Sequence, residues 1–265
     1  MKRSYERLSM TIMALCILLC SCTVLEDRGP CPCHLNIYLG NSSELAEKLS
    51  VSGWSLDSQR LFNDKIDLVK FPDYYTKKVR KGYLTVSAFC GNRTVILKDE
   101  MMIIPSGKQG DRIWAYSGEP VNAEGETAED HIVLHKQYAD IHIRINDLPG
   151  RADKLVLRAT GNTEGISLLS LKPEKGPFKC LAERDGDDNW LLTVPRQYDS
   201  SLKLEMFLDG VLKRTVSIGE LLKNSGYSWE EEDLEDIYIS ICPFNTSSIE
   251  ISIKGWDIET HTFTI

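Results

Sequence analysis

Ala139-Asp140-Ile141-His142-Ile143-Arg144-Ile145-Asn146 alternates apolar and polar residues along its whole length. Successive side chains of a β-strand point to opposite faces. This period of two therefore puts Ala139, Ile141, Ile143 and Ile145 on one buried face. The alternation recurs outward from this stretch. Ile237, Ile239 and Ile241 alternate with Tyr238 and Ser240, and Leu202, Leu204, Met206 and Leu208 alternate with Lys203, Glu205 and Phe207. Leu84, Val86, Ala88 and Cys90 make one face, opposite Tyr83, Thr85, Ser87 and Phe89; Leu35, Ile37 and Leu39 begin the series. Asp209-Gly210 is a hairpin signal, and Gly91-Asn92 predicts a turn into a return strand over 94–97. Residues 77–82 read as a basic turn and 119–130 as an acidic loop. Residues 155–157 and 166–171 read as separate apolar runs. Only 43–49 and 218–222 suggest helix, one turn or so each. About twelve to sixteen strands at this spacing predict an all-β chain of two tandem β-sandwich domains, with one larger sandwich as the second choice. The boundary is placed near residue 135.

The chain has 265 residues, 42% of them hydrophobic and 26% charged, which are ordinary globular values. Its 39 acidic and 31 basic residues give a formal charge of -8. That balance disfavours nucleic acid as a partner, because a phosphate-binding face needs a basic patch.

The N-terminus carries an export signal. Lys2, Arg3 and Arg7 precede an uncharged, mostly apolar stretch over 8–19. As a helix this stretch spans only about 18 Å, too short for a bilayer core of about 30 Å. It fits the apolar region of a signal peptide. Leu19-Cys20-Ser21-Cys22 resembles a bacterial lipobox, which implies cleavage before Cys22 and lipid on that cysteine. Residues 1–21 are then the lipoprotein signal peptide, and 22–34 the lipidated N-terminus and tether. The N-terminal sandwich occupies 35–135 and the C-terminal sandwich 136–265. Removing Lys2, Arg3, Glu6 and Arg7 with the leader leaves 28 basic and 38 acidic residues, a net charge of -10. An anionic membrane repels such a body, so the lipid would hold it by its end.

Export permits disulfides. With Cys22 lipidated, Cys31, Cys33, Cys90, Cys180 and Cys242 remain. One of Cys31 and Cys33 is expected to bridge to Cys90 or another partner. No catalytic motif or cofactor signature stands in the sequence, and no enzyme activity, cofactor or metal is expected. Asp130, His131 and His135 are read as surface residues, since on a strand i and i+4 lie about 13 Å apart. The acidic loop around Asp185, Asp187 and Asp188 lacks the order and closing Glu of an EF-hand. The run from Glu230 to Asp236 is read as solvent-facing. Trp54, Trp114, Trp229 and Trp256 are assigned to packing, while Trp190, beside Asp187-Asp188-Asn189, is expected in a loop.

Several stretches along the chain carry a family resemblance. They are Leu25-Glu26-Asp27-Arg28 and Cys31-Pro32-Cys33, then 81–89 with Gly91, and later Gly226-Tyr227-Ser228-Trp229, 233–239 and Trp256. In this order they resemble the FimB/Mfa2 family of fimbrial anchor and minor subunits of Bacteroidales. The chain departs from the family at Ile241-Cys242-Pro243, where an Asp is common. The resemblance implies two sandwich domains of transthyretin-like topology and a lipid-anchored location at the outer membrane or cell surface. It also implies a non-enzymatic role in attaching or capping a fimbria, through strand exchange with fimbrial subunits. The strands over 249–253 and 262–265 are the candidate partner edge. The rival reading is a surface glycan-binding lipoprotein, suggested by the tryptophans.

Overall fold

A computed structural model describes residues 31–71, 73–146, 154–242, 248–253 and 261–264. Cys22, the leader and Trp256 lie outside the described residues, as do the side chains after Cys242. Among the described residues the chain is almost entirely strand, arranged in four sheets.

The first half contributes β1 (Cys33–Tyr38), a single helical turn α1 (Ser42–Leu45), β2 (Lys48–Ser55), β3 (Arg60–Asp67), β4 (Tyr74–Val79) and β5 (Tyr83–Cys90). Next come β6 (Ile96–Lys98), β7 (Met101–Ile103), β8 (Trp114–Ser117), β9 (Val121–Asn122), β10 (Thr127–His131) and β11 (His135–Lys136). One sheet runs β10-β1-β4, and a second runs β11-β8-β5-β2-β3 with β9 also on β5. The inward faces of both meet in a core that holds Leu35, Ile37, Val51, Leu84, Val86 and Ala88.

The second half contributes β12 (Tyr138–Ile145), β13 (Leu155–Ser167), β14 (Pro173–Leu181), β15 (Glu183–Arg184), β16 (Asn189–Pro195), β17 (Lys203–Leu208) and β18 (Val211–Val216). A short helix α2 (Ile218–Asn224) follows, then β19 (Ile237–Cys242), β20 (Ser248–Ile253) and β21 (His261–Thr264). The third sheet runs β15-β16-β12-β19-β20-β21. The fourth runs β18-β17-β13-β7-β6, with β14 on the other edge of β13. Their core holds the expected faces of β12 and β19, with Ile141, Ile143, Ile237 and Ile239 fully covered.

The fold is all-β, with multiple sheets that suggest tandem β-domains, yet the sheets do not divide at a single residue. β6 and β7 come from the first half; β7 pairs with β13 in the second, and β6 pairs with β7. β17 occupies one edge of β13 from Leu155 to Thr160, and β7 takes that edge from Gly165 to Ser167. The long β13 replaces the two separate runs read from sequence. The β6–β7 ribbon covers the second face of β5. Trp54, Phe89, Met102, Ile113, Ala115, Ile166 and Leu168 form a third buried cluster there. This explains why Ser87 and Phe89, on the face opposite Val86 and Ala88, are small or apolar and buried. Ser87 is buried among them and accepts a hydrogen bond from the Trp54 indole at 2.8 Å.

Several sequence expectations are corrected. Residues 94–97 do not return along β5; β6 pairs with β7 instead. The chain leaves β5 through a staple in which one buried carboxylate, Asp111, accepts the backbone N–H groups of Arg93, Thr94 and Val95 at 2.6–2.9 Å. The acidic loop over 119–130 contains β10, which pairs parallel to β1 with Leu35 opposite Ala128. The basic turn begins as strand β4. Cys31, Cys33, Cys90, Cys180 and Cys242 are all free thiols, so the expected bridge is absent among the described cysteines. Cys33 and Cys90 both lie in the first core, where they pack as small apolar side chains. Burial pushes the Cys90 thiol up to about 11.

The graft of β7 on β13 depends on Gly165. A Cβ at that position would lie 2.1 Å from the Met102 carbonyl oxygen, a backbone atom that cannot swing aside. Gly165→Ala is expected to cost about 1–3 kcal/mol, the range for forced overpacking. Urea unfolding followed by tryptophan fluorescence measures the loss, and an unchanged midpoint would refute the close approach.

Candidate functional site

Among the described residues an open groove encloses about 1090 Å³. Tyr116 and Ser117 of β8, with His135 and Gln137, form one wall. The turn over 170–173, the segment over 196–200, Lys223 of α2 and the loop over 227–232 complete it. The groove thus lies where first-half strands meet second-half loops. Its volume lies just above the range of small-molecule sites, about 300–1,000 Å³.

Arg196 and Gln197 follow directly on β16, whose last residues are buried, and this places both near the groove floor. Arg196 is only 8% exposed and Gln197 4%. The Arg196 guanidinium donates to Gln137 Oε1 at 3.1 Å and to the carbonyl oxygens of Trp229 and Glu232. Burial pulls its pKa down, against the nearby Tyr227, Asp233 and glutamates. Gln197 donates to the Pro195 carbonyl at 2.7 Å, while its Oε1 has no partner. Tyr198 is 52% exposed, with its backbone N–H bound to Thr163 Oγ1 at 2.8 Å and Lys175 Nζ over its ring at 5.7 Å. Trp229 is held edge-on against Tyr227 at 4.8 Å between ring centroids.

Glu230, Glu231, Glu232, Asp233 and Glu235 of the acidic run are exposed, as expected, while Asp236 is half-buried. The run closes over β11 as a latch. His135 contacts Glu232 at 3.2 Å and Asp233 at 3.1 Å. Asp233 accepts the Lys136 backbone N–H at 2.6 Å, and Asp236 pairs with Lys136 Nζ at 2.6 Å and accepts the Asp140 N–H at 3.1 Å. These contacts fix the 227–232 wall against the first-half wall.

The other residues singled out from sequence are dispersed. Asp130 accepts the Tyr116 hydroxyl at 2.7 Å, His131 stacks on Tyr38 at 4.5 Å, and His135 belongs to the latch. Among the described residues no group of three His, Cys, Asp or Glu could hold a metal. In the loop of Asp185, Asp187 and Asp188, the Arg184 guanidinium binds the Gly186 and Asp187 carbonyls at 2.9 and 2.8 Å. Trp54 is in the third core and Trp114 packs against the first, as expected of packing residues. Trp190 contradicts its loop assignment: it is 3% exposed, inside the second core opposite Ile143. Sequence reasoning missed Arg196, Gln197 and Tyr198. The available signal was two long polar side chains set directly after the mostly apolar Leu191-Leu192-Thr193-Val194-Pro195.

No family model and no curated protein sequence matches the chain. Solved structures do share its fold. The fimbrial anchor protein Mfa2 of Porphyromonas gingivalis matches with a TM-score of 0.60 at 14% identity, covering 87% of this chain and 100% of that one. A Bacteroides thetaiotaomicron protein assigned to polysaccharide binding matches at 0.62 and 11% identity, covering 87% and 98%. A Bacteroides ovatus protein assigned as an adhesin matches at 0.62 and 10%, covering 91% and 97%. The chain therefore has the fold of Bacteroidales fimbrial and adhesin proteins.

Asp236→Asn tests the latch. Burial works to raise the Asp236 pKa, but the Lys136 ammonium and the Asp140 amide outweigh it and hold it below the ordinary value. Its stabilising contribution is complete above the unfolded-state pKa of about 3.9 and is lost as pH falls through the lower folded value. The substitution is expected to cost about 1–3 kcal/mol near neutral pH, less than a fully buried pair because both side chains keep some exposure. Urea unfolding at about pH 7 and about pH 2 should show the gap between variant and parent closing in acid. A gap that stays constant would show that the Asp236 charge has no part in holding the latch.

Proposed function

We propose that this chain is a non-enzymatic surface subunit that binds a saccharide in the groove between its two halves. The observation that carries this reading is the groove itself: an open cleft with the rings of Tyr116, Tyr198 and Trp229 beside buried amide and guanidinium groups. Sugar rings present apolar C–H faces to aromatics and hydroxyls to polar side chains, and binding sites of this kind combine the two. Similarity to a protein assigned to polysaccharide binding supports the reading. In this proposal Cys22 is the lipidated N-terminus, the residues from 23 up to the start of β1 at Cys33 are a tether, and the body stands at the outer membrane with its sandwiches near 35–135 and 136–265. The transthyretin-like connectivity implied by the family resemblance belongs to the same proposal.

A second reading has its own observation. The likeness to a fimbrial anchor extends over the whole of that chain. In this reading the subunit attaches or caps a fimbria, and a sheet edge receives a strand from a partner. β21 is the edge strand of its sheet among the described residues, and β18 is an edge of another. Unpaired edge amides and carbonyls are what strand addition requires.

Two measurements test the proposal. Cys22→Ala is expected to move the protein from the membrane fraction into the soluble fraction; unchanged fractionation would remove lipid from the account. Titration of the purified mature chain with neutral oligosaccharides from mannan, β-glucan and β-galactan should show saturable binding to at least one. That binding should weaken about tenfold in Trp229→Ala, the loss of roughly one stacking contact. Absence of binding to any saccharide, with fibres shed from cells that carry Cys22→Ala, would favour the anchor reading.

A further inference from the structure

We infer that the open edge of β4 carries a second saccharide subsite, built from the rings of Phe71 and Tyr74 and the free backbone groups of Tyr74 and Thr76. It takes its ligand class from the saccharide reading above but shares no residue with the groove.

Lys70, Phe71, Asp73, Tyr74, Tyr75 and Thr76 line an open pocket of about 450 Å³, inside the small-molecule range of about 300–1,000 Å³. Two of its rings are exposed, Tyr74 at 55% and Phe71 at 43%. Both are backed by rings that are themselves held. Phe71 meets Tyr75 edge-on with 5.8 Å between centroids. The Tyr75 hydroxyl donates to Asp64 at 2.9 Å, and Lys77 pairs with the same carboxylate at 2.7 Å. Tyr74 lies 6.2 Å from Tyr38, which stacks on His131 at 4.5 Å. The turn that carries Phe71 is tied by the Asp67 carbonyl, which accepts the N–H groups of Lys70 and Phe71, each at 3.1 Å. Exposed rings buttressed in this way lose little freedom when a ligand arrives, which reduces the ordering cost of binding. Their apolar faces suit the C–H faces of a sugar ring.

β4 supplies polar groups beside those rings. The Leu39 N–H binds the Asp73 carbonyl at 2.9 Å, which continues the register in which Tyr38 opposes Tyr74 and Ile37 opposes Tyr75. Hydrogen-bonded and non-hydrogen-bonded pairs alternate along an antiparallel ladder. Tyr75 therefore bonds across to Ile37, and the N–H and C=O groups of Tyr74 and Thr76 point away from β1. Among the described strands β4 is the edge of its sheet, so these groups face the open side where the pocket lies. Two residues of strand span about 7 Å. Over that distance the edge presents two donors and two acceptors, with the Asp73 carboxylate and the Lys70 ammonium nearby; Lys70 also pairs with Asp67 at 3.6 Å. A sugar hydroxyl both donates and accepts, so this mixed set can serve it. One cation and one carboxylate give no net field for a polyanion. Exposed aromatic faces beside the edge, in place of a row of small side chains, favour a sugar over an added peptide strand.

The test follows backbone amide resonances of the isotope-labelled mature chain by NMR during titration. The probes are hexasaccharides of mannan, β-glucan and β-galactan, and an octapeptide of alternating Val and Thr. The amides of Tyr74 and Thr76 are expected to shift saturably with at least one hexasaccharide. Tyr74→Leu keeps apolar bulk but removes the ring, and Tyr74→Ala removes both; thermal melting checks that each folds. Each is expected to weaken binding at this edge about tenfold, roughly one stacking contact, while Trp229→Ala leaves it unchanged. Saccharide shifts confined to the groove, with Tyr74 and Thr76 silent, would overturn this subsite and keep the groove reading. Shifts at Tyr74 and Thr76 with a silent groove would keep the subsite and overturn the groove reading. Edge binding that survives Tyr74→Leu would overturn the role of the ring. Shifts at Tyr74 and Thr76 with the octapeptide and with no hexasaccharide would overturn the ligand class in favour of strand addition. Silence at both places with every hexasaccharide would overturn both saccharide sites.

Discussion

The structure depends on the burial of β5 and β2 on both faces. A sheet with one wet face needs only one core. Here Leu84, Val86 and Ala88 face the first core, while Phe89 and Trp54 face a separate cluster against Met102 and Ile166. Full burial of each large apolar side chain is worth about 1.5–3 kcal/mol relative to exposure. The cover for that second face is supplied by the chain itself. After β5 it crosses to the second half, lays β6 and β7 along β13, and comes back through β8. The two halves are therefore joined by strand pairing and by a shared apolar cluster, not only by a connecting peptide.

The groove follows from this joint. The return path from β7 to β8 is laced to the second half. The Gly110 N–H binds the Thr193 carbonyl at 2.9 Å, Gln109 Oε1 accepts the Thr193 N–H at 2.6 Å, and Arg112 pairs with Asp140 at 2.9 Å. β8 arrives beside the second half, and Ser117 Oγ binds the Leu169 carbonyl at 2.6 Å. One wall of the groove is set in this way. The acidic latch sets the other by gripping Lys136 and His135. Buried charge is costly unless its hydrogen bonds are met. Arg196 meets much of that cost with three acceptors, two of them backbone carbonyls of the latch loop. The same contacts that tolerate a buried cation therefore also position the loop that carries Trp229.

Much of the fold is legible in the sequence where one strand face is apolar and the other polar. β12 and β19 follow their alternation residue by residue, and Asp209-Gly210 joins β17 to β18 at the expected two-residue turn. Legibility fails where pairing replaces side-chain pattern as the cause. β10 is acidic and short, yet it is a strand because β1 offers it a parallel edge. Phe89 and Ser87 look like an outward face until the β6–β7 ribbon is placed on them. Trp190 stands next to an acidic turn, but its strand register directs it inward opposite Ile143. The groove was the least legible part. Arg196, Gln197 and the latch acids are separated by more than thirty residues in sequence, and no local spacing announces their meeting.

The shared scaffold narrows where function can reside. At 10–14% identity the matched proteins retain the strand layout while most side chains differ. Apolar alternation can be kept by exchanging one β-branched or long-chain residue for another, so the cores tolerate such divergence. A buried guanidinium held by three fixed acceptors, as Arg196 is, is not interchangeable in that way. The same fold is thus found in a protein described as a fimbrial anchor and in one described as an adhesin. In this chain the groove gathers three of the buried polar side chains, Gln137, Arg196 and Gln197, so part of the cost of burying polar groups is concentrated there.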